Sequence, residues 1–338
     1  MKKEIAVVTG GAGFIGSHMV DLLLSKNYRV HVIDNLSGGH KKNLRHHRNN
    51  PNLVFENVDI CKLKSNNKLF KGAKYVFHFA GIGDIVPSIE SPTSYMNINI
   101  HGTIKVLEAS KNASIKKFLY AASSSCYGLA KTPTSENHTI SPKYPYALSK
   151  YLGEKAAFHW HKVYGLPVNS IRIFNAYGAR VRTTGVYGAV FGVFFKQKLE
   201  NKPLTVVGNG SQKRDFLYVT DVAKAFFKSA KSRYIGEIYN LGAGKPQSIK
   251  YLVKIIGGKT TTIRKRPGEP DCTWANISKI KNHLKWEPKI KFKNGVKKML
   301  YEIENWKNAP LWTPVKIEMA TKMWFKFMSK KDKKNILK

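Results

Sequence analysis

Residues 5–16 read IAVVTGGAGFIG, from Ile5 to Gly16. The four apolar residues Ile5-Ala6-Val7-Val8 predict a short buried strand. Gly10, Gly13 and Gly16 follow, where a missing side chain lets the backbone approach a ligand. Beyond them Phe14, Ile15, Met19, Val20, Leu22, Leu23 and Leu24 recur at helical spacing. The next apolar run, Arg29 to Ile33, ends on Asp34 and Asn35. Strand, glycine turn, helix, strand and acid form the βαβ unit that binds a dinucleotide, its pyrophosphate on the helix N-terminus. Asp34 lies eighteen positions after Gly16, near the spacing of about 20 at which an acid meets the adenosine ribose. A carboxylate there repels a 2′-phosphate, so NAD is expected over NADP, a preference that Lys41, Lys42 and Arg45 soften.

Working outward, Leu53 to Val58 ends at Asp59-Ile60, and Tyr75 to Phe79 ends at Ala80-Gly81. Alternation of strands and helices predicts an α/β fold, a doubly wound parallel sheet covered on both faces. Ligands on such sheets gather at the carboxyl ends of the strands. One strand, Lys117 to Ala122, ends there in Ser123-Ser124-Ser125. Some twenty residues later comes Tyr146-Ala147-Leu148-Ser149-Lys150. Positions i and i+4 share a helix face, which sets the lysine beside the tyrosine. A phenol with a pKa near 10 is a poor base at neutral pH. One cation at about 4 Å supplies roughly the 4 kcal/mol that a three-unit fall requires. Tyr146 with Lys150 is therefore a candidate base, and Ser123 a hydroxyl that steers the proton. Such a pair alone is common on helices; the sheet and the serine strand end make it specific.

Composition sets the outer bounds. The 338 residues, 42% hydrophobic, suffice for one large domain or two modest ones. Cys61, Cys126 and Cys272 fit no metal spacing and cannot all pair, so a reduced cytoplasm is expected and no metal. The run after MKKE breaks after Val8, too short for a signal peptide, and Val186 to Phe195 is too short to span a bilayer. A net charge of +37 is scattered along the chain rather than clustered. It predicts a solvated basic surface that attracts anions, not a specific nucleic-acid interface. Trp324-Phe325-Lys326-Phe327-Met328 and the lysines after it are the best candidate for weak peripheral membrane contact; the alternative is the packed face of a last helix.

At these motifs the chain resembles the extended short-chain dehydrogenase/reductases, specifically their nucleotide-sugar epimerases and dehydratases. The resemblance runs from Lys3 to about Trp306. It rests on TGGAGFIG at 9–16, Asp34-Asn35, Asp59-Ile60, HFAG at 78–81, the serine run, YALSK at 146–150, RIFNAYG at 172–178, QKRDFLYVTDVA at 212–223 and RPGEPD at 266–271. It implies a Rossmann-type sheet with a smaller mixed α/β C-terminal substrate domain. It implies Ser123, Tyr146 and Lys150 as catalytic, and Phe14, Ile15, Asp59, Ile60, Phe79, Ala80, Gly81 and Asn99 beside the cofactor. Ser124, Ser125, Asn175, Thr205, Arg214, Arg266 and Glu269 would meet a UDP-sugar, the arginines by planar charge-assisted pairing with phosphate. A homodimer through helices near 93–111 and 145–163 is also implied.

In this family the two positions after the catalytic hydroxyl help sort the chemistry: dehydratases carry acids there, and decarboxylases a Glu. Ser124 and Ser125 cannot protonate a leaving hydroxyl. A 4-epimerase passing through a 4-keto sugar is thus expected, the alternatives being a dehydratase, decarboxylase or reductase, or a non-catalytic NAD-binding, RNA-associated protein. The serine row with Arg180 or Arg182 could hold a C6 carboxylate, so UDP-hexose and UDP-hexuronic acid both stay open. Gly83 replaces a lysine seen in some galactose epimerases. The expected division is 1–178 for the cofactor domain, with a return segment near 215–245, and 179–338 for the sugar-nucleotide domain.

Overall fold

The computed structural model describes residues 3–182 and 190–329. Thr183-Thr184-Gly185, the helix start expected at Val186 and the basic tail from Lys330 lie outside the described residues. The opening motif folds as read: β1 (Ile5–Thr9), α1 (Phe14–Ser25), β2 (Arg29–Ile33). There follow β3 (Leu53–Glu56), shorter than the expected run to Val58, β4 (Ala73–His78), α2 (Ile85–Glu90) and α3 (Pro92–Met96). A π-helical turn over Asn97–Gly102 leads into α4 (Thr103–Asn112). Then come β5 (Lys117–Ser123), α5 (Pro145–Tyr164), β6 (Val168–Ile173) and β7 (Asn175–Tyr177).

Beyond residue 182 the elements are α6 (Val190–Leu199), β8 (Leu204–Val207), β9 (Lys213–Arg214), β10 (Phe216–Tyr218), α7 (Val219–Lys231), β11 (Glu237–Leu241) and β12 (Gln247–Ser248). The chain ends in α8 (Ile249–Ile256), β13 (Thr260–Ile263), α9 (Ser278–Leu284), α10 (Phe292–Tyr301), α11 (Pro314–Ala320) and α12 (Lys322–Met328).

Seven parallel strands form the main sheet in the order β11-β6-β5-β4-β1-β2-β3. Strand order reverses between β1 and β4, so the loops after these two strands splay apart and leave a crevice at their carboxyl ends. One face is packed by Met19 and Leu23 of α1 with Val222 and Phe226 of α7, the other by Val106 and Leu107 of α4 with Ala157 of α5. A third core, around Phe191, Phe194, Leu252, Met299 and Trp306, belongs to the later elements.

The stretch Phe216 to Ala230 touches both. Phe216, Tyr218 and Val219 enter the third core, whereas Leu217, Val222, Ala225 and Phe226 enter the sheet core. Just before it, Asp215 is sealed from water and accepts N–H bonds from Ala243, Gly244 and Ala275 at 2.9–3.1 Å. One buried carboxylate thereby ties three chain segments at the foot of the cleft, its charge spread over several donors.

Candidate active site

The glycine turn is built by exclusion. A Cβ on Gly16 would land 2.1 Å from Gly10 O, and one on Gly10, whose φ is +69°, would land 2.7 Å from Ala80 N. Gly13 caps α1 without any side-chain bond, and the first turn carries no acid. The N–H groups of Phe14 and Ile15 thus begin a twelve-residue helix whose dipole favours an anion. Asp34, nearly buried, accepts from Ala12 N at 2.9 Å and Leu36 N at 2.7 Å. It braces the turn while each oxygen keeps a lone pair for a ribose hydroxyl. Burial raises its pKa and the two N–H bonds oppose that. These residues fit a dinucleotide.

Other expected cofactor residues are committed within the protein. Asn35 is exposed and its Oδ1 accepts from Ser37 N and Oγ. Asp59 caps the short turn Ile60–Lys62 through Cys61 N at 2.8 Å, and the Ile60 side chain lies in the core. Phe79 packs on Phe226 with ring centroids 4.7 Å apart. Asn99 is buried, donates to Ile82 O and Ser149 Oγ, and accepts from Ile82 N. Its amide fixes the Ala80-Gly81-Ile82 loop; a Cβ on Gly81 would meet Asn99 Oδ1 at 2.7 Å.

Ser123 lies near Tyr146, and Lys150 follows Tyr146 by one turn of α5. Ser123 ends β5, and its Oγ accepts from Ser125 N at 3.2 Å, which turns Ser124 and Ser125 into a short 3₁₀ turn. Cys126 is buried in that turn. Pro145 starts α5 at a position that needs no N–H, setting Tyr146 in its first turn. Lys150 is buried one turn on, with Nζ 4.4 Å from the centre of the Tyr120 ring. The electrostatics differ from the expectation. Burial pushes the Tyr146 phenol up, opposed by a hydrogen bond from Ser123. Burial also lowers Lys150 to about 8, with Glu154 opposing. A low-dielectric site penalises phenolate and ammonium alike, so the pair alone does not yield an activated phenol.

On the sugar-nucleotide side, Arg214 Nη2 donates to Glu269 Oε1 at 2.7 Å, and Arg266 Nη1 lies 3.7 Å from Oε2 of the same residue. Asn175 Oδ1 accepts from Thr273 Oγ1 at 2.7 Å. Thr205 is buried in β8 between the equally buried Leu204 and Val206; its hydroxyl accepts from Gln197 Nε2 and its N–H donates to Gln197 Oε1. A cavity of about 380 Å³ opens instead beside Val207, Asn209, Gln212 and Glu269.

A carboxylate was missed. Asp84, three residues after HFAG, is close enough for its charge to bear on Tyr146 and Tyr95. Burial raises its pKa, while Arg182, at 3.0 Å from Oδ2, pulls it back. The other arginine considered for a C6 carboxylate, Arg180, pairs with Asp21 at 2.8 Å. Among the described residues Asp21, His46 and His47 also gather potential metal ligands, but the Arg180 guanidinium already neutralises that carboxylate.

The chain is similar to known proteins along most of its length. The family model described as GDP-mannose 4,6 dehydratase matches residues 7–299. A putative UDP-glucose 4-epimerase of Methanocaldococcus jannaschii is 37% identical, over 88% of this chain and 98% of that one. A UDP-N-acetylglucosamine 4-epimerase from Methanobrevibacter ruminantium, solved with UDP-N-acetylmuramic acid, superposes with TM-score 0.83 at 34% identity over 89% of this chain and all of that one. A UDP-glucuronic acid 4-epimerase from Bacillus cereus, solved with its sugar nucleotide and NAD, gives 0.84 at 31% identity over 89% and 99%. The chain belongs to the GDP-mannose 4,6 dehydratase family, the extended short-chain dehydrogenase/reductases that epimerise or dehydrate nucleotide sugars.

Proposed function

We propose that this protein epimerises a UDP-sugar at C4 with NAD that it retains. The observation that carries the reading is the placement of Ser123 at the carboxyl end of β5, close enough to bear on the Tyr146 phenol, with Lys150 one turn after Tyr146 on α5. Bound NAD+ supplies a hydride acceptor and a positive charge. Tyr146 takes the proton of the C4 hydroxyl, and Ser123 holds the same oxygen as it becomes a carbonyl. Lys150 would hold the cofactor by its ribose and, while charged, favour the phenolate. Arg214 and Arg266, aligned by Glu269, grip the diphosphate. The 4-keto sugar would turn within this grip to present its other face to the cofactor, and Tyr146 would return the proton to the C4 oxygen.

A neutral C6 group fits the site better than a carboxylate. Arg180 and Arg182 are already paired, so binding a uronate would break an existing ion pair. Asp84 gives a dehydratase as the second reading, since water elimination requires an acid. The guanidinium of Arg182 pairs with that carboxylate and opposes its protonation, against a burial that raises its pKa.

The test is incubation with UDP-glucose, UDP-N-acetylglucosamine and UDP-glucuronic acid without added NAD, followed by NMR. C4 epimers of the neutral sugars support the proposal; a product lighter by one water supports the second reading. We place the protein in the cytoplasm, as its three free thiols favour, and as a homodimer through α5, where Leu148, Leu152, Val163 and Tyr164 face outward. No described helix is long and apolar enough to cross a membrane.

A further inference from the structure

The segment after residue 310 lies beyond the family match, which stops at 299, yet it reaches the site. Its root is in the third core. Ile317 of α11 is buried there, Trp312 packs against it, and Gln197 Nε2 donates to Trp312 O at 2.7 Å. From this root α12 crosses to the sheet side and packs on α2. Trp324 is buried between two walls of the cleft. Its ring lies 5.9 Å from that of Tyr144, and its Nε1 donates to Pro267 O at 2.7 Å. Tyr144 in turn runs parallel to Tyr146, the ring planes 7° apart and the centroids 6.5 Å apart. The next residue grips the same loop, with the guanidinium of Arg264 3.8 Å above the Phe325 ring. Phe325 also lines a groove of about 530 Å³ together with Leu129, Arg266 and Glu269.

We propose that α12 completes the sugar-nucleotide cleft, and that Trp324 is a positioning residue holding the 266–269 loop at its working distance from Tyr146. This rests on the UDP-sugar reading. The loop carries Arg266 and Glu269, whereas the base sits on α5; Trp324 touches both sides. α12 and the loop share one indole hydrogen bond and one cation–π contact, enough to fix a loop that has no strand of its own. Distance between diphosphate grip and base decides whether C4 lies under the phenol.

The test uses the NAD-loaded full chain with Trp324→Ala and Trp324→Phe. It measures the UDP dissociation constant by calorimetry, KM and kcat for the active sugar, and NAD content per chain. For W324A the expected result is a UDP affinity weakened at least tenfold, a KM that rises more than kcat falls, and unchanged NAD content. W324F keeps a ring against Tyr144 but loses the bond to Pro267, and falls between; it carries the test alone if W324A does not accumulate folded. UDP affinity and KM within twofold of wild type in both variants overturn the proposal, as does a parallel loss of NAD, which marks general unfolding. A wild-type chain inactive on every UDP-sugar, but with UDP binding still lost in W324A, sinks the epimerase reading and leaves the positioning role standing.

Discussion

Arg172 on β6 grips Glu154 on α5 twice, Nη2 to Oε1 at 2.6 Å and Nε to Oε2 at 3.0 Å, with both side chains almost sealed from water. Arg172 Nη1 also donates to Tyr127 OH at 2.8 Å, and Ser170 Oγ donates to Glu154 Oε2 at 2.7 Å. Glu154 follows Lys150 by one turn, so this buried network sets how α5 lies on the sheet. Glu154→Gln leaves an uncompensated guanidinium inside and should cost about 3–5 kcal/mol. Chemical denaturation checks it; replacing both residues by leucine should cost less than the two single changes summed.

Tyr146→Phe keeps the ring and removes the hydroxyl proposed to exchange the C4 proton. Turnover should fall by about 10²–10⁴-fold. NAD content should stay at the wild-type level, read from absorbance after denaturation, because the glycine turn and Asp34 are untouched.

Lys150 gives the alkaline limit. Burial lowers its pKa to about 8, so the ammonium is lost as pH rises through that value. A kcat that needs the charge should decline above pH 8. Lys150→Arg keeps a cation at every accessible pH. It should lower kcat by geometry while removing that decline from the pH profile.

His78 controls acid stability. Its ring is wholly buried between the Thr9 hydroxyl, 2.7 Å from Nδ1, and the Thr103 hydroxyl, 2.9 Å from Nε2, and burial lowers its pKa to about 3. The unfolded chain binds a proton here near pH 6.5 and the folded chain does not. Stability is therefore full above that pH and drains as pH falls from 6.5 toward 3, by about 1.4 kcal/mol per unit for one proton. His18 and His31, also lowered by burial, add to the slope. His78→Gln should cost about 1–3 kcal/mol at pH 7 and show a shallower acid limb in thermal melts.

Gly16→Ala tests the cofactor turn. The new Cβ would sit 2.1 Å from Gly10 O, so either α1 or the turn must move. The purified variant should contain no NAD and melt well below wild type.

Short-range chemistry was legible in the sequence; long-range pairing was not. The apolar run before Gly10 and the helical recurrence after Gly13 are local signals, and β1 and α1 follow them. Ser123, Tyr146 and Lys150 were readable because a strand end and one helical turn place them. Asp84, Tyr144 and Trp324 carry no local signature, since each matters through a neighbour distant in the chain. The burial of Thr205 was not legible, because it comes from Gln197 and from the third core packing on both sides of β8. The phenol's direction was misjudged because a charge pair argues from distance alone, whereas burial of both partners dominates.

The seventh strand of the main sheet has a consequence for biosynthesis. β11 pairs with β6 through five residues, yet it leaves the ribosome more than sixty residues after β6 ends. Until then Val168, Ile171 and Ile173 border an open hydrogen-bonding edge, the kind of surface on which nascent chains aggregate. A chain cut after residue 178 would keep that edge for good. Stalled or truncated products should therefore call on chaperones far more than the finished polypeptide does.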